Sequence, residues 1–147
     1  MRILLHTLLM LILTACQSSN QIQLNLQPAA FLNALNIEKK TYPVMVRVYQ
    51  LSEEGAFINA SFQELWKKDA EVLGATLLNR REIMLKPNEP QQVRFAKTAQ
   101  AAFVAVVALF RSPEAESWRI IQPLNHSFSL VPNQVSLRFV GNQIEIL

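Results

Sequence analysis

The chain is poor in the residues from which most chemistry is built. Its 147 residues hold one cysteine, Cys16, so neither an internal disulfide nor a paired-thiol metal or redox motif can form. There are two histidines, His6 and His126, and a single aspartate, Asp69. A zinc site needs several converging ligands, and the chain has no HExxH pattern to supply them. Three glycines are too few for a phosphate-cradling loop. His126 and Asp69 could form part of a hydrolase triad, but no GxSxG elbow accompanies them. The pairs Glu53-Glu54 and Glu114 with Glu116 lie in turn-like stretches and read as solvated. The composition therefore points away from an enzyme and implies no metal or cofactor.

Long hydrophobic runs are missing as well. The mostly apolar stretch from Ile3 to Leu13 is about half of the ~20 residues that a spanning helix needs. Arg2 precedes it, and small residues and then Gln17-Ser18-Ser19-Asn20 follow, the three-part layout of a secretory signal peptide. Cys16 lies at the boundary. It is either a leftover of the leader, a free thiol or an attachment point. The expected organisation is a signal peptide over 1–15, a tether over 16–21 and one domain over 22–147. The formal charge of +3 is mild. The basic residues occur as pairs (Lys39-Lys40, Lys67-Lys68, Arg80-Arg81) and not as runs, which argues against nucleic acid and reads as solvated surface.

What the chain does have is short alternating segments separated by turn residues, the pattern of an all-β sandwich or barrel. Ile22, Leu24 and Leu26 alternate with Gln and Asn, predicting a first strand closed by Pro28. A tether of about five residues, at ~3.3 Å each, keeps that strand within ~20 Å of Cys16. "PVMVRVYQL" (43–51) is a second strand, with Val44, Val46 and Val48 opposite Arg47 and Tyr49. The connection over 28–42 is long for a compact domain. It reads either as a functional or mobile loop, or as a short edge segment around Phe31 and Leu32 followed by a turn.

One helix is expected over 62–73, with Phe62, Leu65, Trp66, Ala70 and Leu73 on its apolar side. Ser61 and Glu64 have capping-box spacing, Gly74 is a stop, and Asp69 is a point where the helix can break. "REIMLK" and "QQVRF" around "PNEP" (87–90) read as a strand–turn–strand unit. "AFVAVVALF" (102–110) is apolar on both faces and must be a central strand, so the helix is expected to cover its outer side. "SWRIIQP" (117–123) and "SFSLVP" (127–132) are further strands. Gly141-Asn142 predicts a hairpin that sets Phe139 against Ile144, Leu137 against Ile146 and Arg138 against Glu145.

Several of these features together resemble a known family. Leu13-Thr14-Ala15-Cys16 is similar to a bacterial lipobox, and Leu35-Asn36, "PVMVRVYQL", Phe57, "SFQELW", Leu73-Gly74, "LKPNEP", "VAVVALFR" and Trp118-Arg119 follow in order. The set resembles the TssJ (SciN/VasD) family of type VI secretion lipoproteins. The resemblance implies a mainly β, transthyretin-like sandwich of two sheets with an added helical segment. It also implies a covalent lipid on Cys16 and residence on the periplasmic face of the outer membrane, Gln17 standing where an aspartate often retains lipoproteins at the inner membrane. The implied partner is the periplasmic domain of TssM, in a membrane complex that includes TssL. The implied contact loop comprises Leu35, Asn36, Ile37, Glu38, Lys39, Lys40, Thr41 and Tyr42. Two other functions fit a lipobox and a sandwich: a periplasmic carrier of a small ligand, or an envelope hydrolase centred on His126.

Overall fold

The computed structural model describes residues 20–34, 40–125 and 131–147. Among them, eight strands form two four-stranded sheets. The first sheet has the order β4 (Gln91–Ala96), β1 (Gln21–Leu32), β7 (Asn133–Gly141), β8 (Gln143–Ile146). The second has the order β3 (Leu77–Leu85), β2 (Val44–Leu51), β5 (Phe103–Ala108), β6 (Arg119–Pro123). Neighbouring strands are antiparallel except β1 and β7, which run parallel.

Alternation along the strands produces the core. Ile22, Leu24 and Leu26 of β1, Val135, Leu137 and Phe139 of β7, and Val44, Val46 and Val48 of β2 are all buried in one cluster. Each such side chain contributes roughly 1.5–3 kcal/mol on burial. β5 departs from alternation: Val104 through Ala108 are fully buried. Its inner face meets the core, and its outer face is covered from the direction of the helices, as expected for a central strand. The terminal hairpin has the predicted register, with Phe139 opposite Ile144, Arg138 opposite Glu145 and Leu137 opposite Ile146.

The helical cover consists of α1 (Gly55–Asn59), a short helix with no clear periodic signal, and α2 (Phe62–Leu73). Both halves of the capping box at Ser61 and Glu64 are present, and Gly74 ends α2 with φ of 51°. The buried stripe of α2 is not the one expected. Leu65, Asp69 and Leu73 face inward, while Ala70 is exposed and Trp66 is 49% exposed. The stripe follows i, i+4, i+8, which leaves Trp66 about 100° away from it.

The cause is a polar cluster beneath the helix. Asp69 accepts hydrogen bonds from the Tyr49 hydroxyl (2.9 Å) and from Arg80 (3.0 Å), and Arg47 lies 3.3 Å away. Arg47 also donates to the carbonyls of Leu65 (2.8 Å) and Trp66 (2.9 Å) and to Glu82 (2.9 Å). Lys68 has non-helical angles (φ −148°, ψ 38°), and the Ala70 amide turns to the Asp69 carboxylate at 2.9 Å. The helix therefore breaks next to Asp69, and Arg47 of β2 takes up carbonyls that the break releases.

Three expectations need correction. β1 does not end at Pro28 but runs to Leu32. Pairing with β4 stops at Leu26, and a strand with only one neighbour tolerates proline. The strand–turn–strand unit around "PNEP" is present as expected, and its turn crosses between sheets, since β3 and β4 belong to different ones. In the stretch 127–132, residues 127–130 lie outside the described residues, and Val131 and Pro132 precede the strand that begins at Asn133. Arg80 is not merely solvated surface, since it pairs with buried Asp69.

Candidate partner-binding end of the sandwich

Of the residues singled out in the sequence, Cys16, Leu35, Asn36, Ile37, Glu38, Lys39 and His126 lie outside the described residues. Lys40, Thr41 and Tyr42 are described, and they lead into β2. β1 connects the two regions of interest. Its 12 residues span roughly 35 Å at the usual strand rise. The lipobox side of the chain enters at Gln21, where the Lys97 amide donates to the Asn20 carbonyl (2.8 Å). The long β1–β2 connection leaves from the other end of the strand.

At that far end the base of the connection is fixed by Asn33, which the sequence reading overlooked. Asn33 has φ of 49°, a left-handed conformation that asparagine adopts more readily than most residues. Its amide donates to the Gly141 carbonyl (2.6 Å), and its side chain donates to the Pro43 carbonyl (2.9 Å). Its Oδ1 accepts from the Arg111 amide (2.8 Å). One buried residue thus ties the start of the connection to its own end and to the segment after β5 through its side chain, and to the β7–β8 turn through its backbone amide. Asn142 in that turn donates to the Ala34 carbonyl (3.1 Å). Asparagine ahead of a long polar connection is a weak turn signal; the three partners, from distant parts of the chain, were not legible locally.

Tyr42 closes the return side. Its amide donates to the Leu32 carbonyl (3.1 Å), and the Arg111 guanidinium stacks 3.8 Å from its ring centre. That distance is well within cation–π range. The connection is therefore presented from a rigid platform, with an aromatic and a cation on its rim.

Replacing Asn33 with alanine is expected to lower stability by about 2–3 kcal/mol, because two backbone groups lose buried partners and alanine lacks the polar side chain that makes the left-handed conformation tolerable. Asn33→Gly retains the backbone freedom and should recover about 1 kcal/mol of that loss. Urea denaturation of the two variants measures the split; equal losses would remove the backbone contribution.

Among the described residues, no group of three or more His, Cys, Asp or Glu side chains could hold a metal ion. Asp69 is committed to the cluster under α2.

Comparison with known proteins bears on this arrangement. The T6SS-SciN family model, described as type VI secretion lipoprotein, VasD, EvfM, TssJ, matches residues 20–140. No curated protein sequence matches. Among solved structures, Serratia marcescens Lip, a membrane-bound component of the type VI secretion system, aligns with a TM-score of 0.80 at 19% identity, covering 89% of this chain and 99% of that one. Pseudomonas aeruginosa TssJ1 aligns at 0.78 and 21% identity over 88% and 95% of the two chains. A chain in the structure described as the TssM C-terminal domain from EAEC aligns at 0.74 and 21% identity over 86% and 97%. At these identities the structural likeness carries the fold: a mainly β molecule of two four-stranded sheets with a small helical segment.

Proposed function

The chain belongs to the type VI secretion lipoprotein family, and from that premise we propose that it anchors the periplasmic domain of TssM to the outer membrane. A lipid on Cys16, exposed as the new amino terminus once residues 1–15 are removed, holds the chain in the inner leaflet. The tether over 16–21 gives way to one sandwich domain over 22–147. The segment from Leu35 to Tyr42 grips TssM, within a membrane complex that also contains TssL. The role is mechanical rather than catalytic. Anchorage raises the local concentration of the partner and resists its withdrawal, with no bond made or broken.

One observation carries this reading. The lipobox end of β1 and the fixed base of the β1–β2 connection lie at opposite ends of a strand roughly 35 Å long, so a membrane attachment at one end leaves the other directed into the periplasm. The Lys39-Lys40 pair on that connection is a candidate for partner specificity.

The test is a pull-down of the TssM periplasmic domain by the full lipoprotein in detergent, with residues 35–42 intact or replaced by a glycine-serine linker. Binding by the intact chain and a loss of at least ~10-fold for the replacement are expected, as for a segment carrying hot-spot contacts. Equal capture by both would move the contact away from this segment, and no capture by the intact chain would end the anchoring reading. A ligand carrier is less well supported. Phe139, Leu137, Leu24 and Leu26 fill the space between the sheets and are fully buried.

A further inference from the structure

Beside the Tyr42–Arg111 stack lies a groove of about 410 Å³. Phe62, Gln63 and Trp66 of α2 form one wall, and Leu109, Arg111 and Pro113 after β5 form the other. Phe62 is held in place edge-on against Trp118, with ring centres 5.1 Å apart. Trp66, by contrast, leaves half of its surface in solvent. Its other half packs toward Phe62, with ring centres 6.3 Å apart, and tryptophan and arginine are the residue types that dominate binding energy at protein interfaces.

The charge at the groove is one-sided. Lys67 sits 5.6 Å from the Trp66 ring centre and Arg111 stacks on Tyr42. Among the described residues, Arg47, Lys68, Arg80, Lys86 and Arg119 all have carboxylates within 4.0 Å, but Lys67 and Arg111 do not. The nearby carboxylates are engaged elsewhere. Glu64 accepts from the Ser61 amide (2.9 Å) and hydroxyl (2.8 Å), and Glu114 accepts from Gln143. The result is an apolar slot with two cations on its rim that no neighbouring carboxylate neutralises.

We infer that this groove is a second half of the partner face and receives a protein segment carrying a carboxylate beside an apolar side chain. The inference rests on the anchoring reading above. Arg111 makes the surface continuous, since its backbone amide binds Asn33 at the base of the connection, its guanidinium stacks on Tyr42 and its side of the chain walls the groove. The groove lies at the end of the sandwich where β1 ends at Leu32, opposite the end where the chain enters at Gln21. The apolar floor supplies affinity through Trp66, and the two cations supply orientation and a faster encounter.

The experiment measures binding of the TssM periplasmic domain to the full lipoprotein in detergent by biolayer interferometry. Trp66→Ala is expected to weaken Kd at least ~10-fold, and Trp66→Phe to recover most of that loss. Lys67→Glu is expected to slow association about 3–10-fold at low salt, with a smaller effect as salt rises. Thermal melts should match the parent for Lys67→Glu, whose side chain is exposed, and should show all three variants folded at the assay temperature, with a lower midpoint for Trp66→Ala because half of that side chain is buried. Parent-like binding by Trp66→Ala and Lys67→Glu, while replacement of 35–42 still abolishes capture, would overturn the groove and leave the anchoring reading intact. Failure of the parent to bind would overturn both. Loss of self-association in sedimentation, with TssM binding unchanged, would assign the groove to a second copy of the chain and overturn this proposal.

Discussion

Replacing Asp69 with alanine is expected to lower the unfolding free energy by about 3 kcal/mol, at the lower end of the range for breaking a buried ion pair. The carboxylate is the shared acceptor for Tyr49, Arg47 and Arg80. The exposures of its partners set the magnitude. The Arg47 side chain is 13% exposed and Tyr49 is fully buried, so both lose an acceptor that water cannot replace; Arg80 is 37% exposed, so its contribution is largely screened. Tyr49→Phe should cost only about 1 kcal/mol, the usual net value of one hydrogen bond. Burial first, and then the bond to Asp69, push the Tyr49 hydroxyl well above its ordinary pKa, so it remains a donor across the working pH range.

The same cluster predicts part of the acid response. Glu82 is held below the ordinary carboxylate range, first by the hydrogen bond from Arg47 and then by the nearby Arg80 charge. A lowered folded pKa gives stability that is complete above the unfolded value of ~4.3 and is lost as pH falls through the folded value. Glu82→Gln should therefore flatten the acid limb of the stability profile, while Asp69→Ala lowers the whole curve. Urea titrations between pH 3 and 7 separate the two, and an Asp69→Ala variant within 0.5 kcal/mol of the parent (about the noise for a neutral surface change) would contradict this account of the cluster.

Replacing Cys16 with serine is expected to move the protein from the membrane fraction to the soluble periplasm. Each buried methylene is worth about 0.8 kcal/mol; one acyl chain holds a protein only marginally, whereas several make attachment durable. Serine offers no thiol for the lipid, so the whole anchor is lost rather than weakened. No helix among the described residues is long and apolar enough to cross a membrane and take over the role. Secretion should fail together with localisation, because the partner is no longer tied to the outer membrane. A variant that remains in the membrane fraction would place the attachment elsewhere in the chain.

Features that depend on neighbours in sequence were legible before the structure. The capping box at Ser61 and Glu64, the stop at Gly74 and the hairpin at Gly141-Asn142 each rest on four to six consecutive residues, and all three hold. The central position of β5 was also legible, because a run from Val104 to Ala108 has no polar face to turn toward water. What could not be read was how distant polar groups combine. Asp69 is inward only because Arg47, Tyr49 and Arg80 meet it from β2 and β3, and that contact rotates the buried stripe of α2 so that Trp66 points outward. Asn33 likewise acquires its role from Pro43, Arg111 and Gly141, which no local pattern links to it. Strands β3 and β4 carry a legible turn between them, but assignment to separate sheets is decided by their pairing with β2 and β1.

The central claim, that one end of this molecule holds the membrane while the other holds TssM, is tested most directly by flotation. Outer-membrane vesicles from cells making the parent chain or its Cys16→Ser variant are mixed with purified TssM periplasmic domain and centrifuged through a density gradient. The account predicts that the domain rises with parent vesicles and stays at the bottom with variant vesicles. Flotation with both, or with neither, would contradict it.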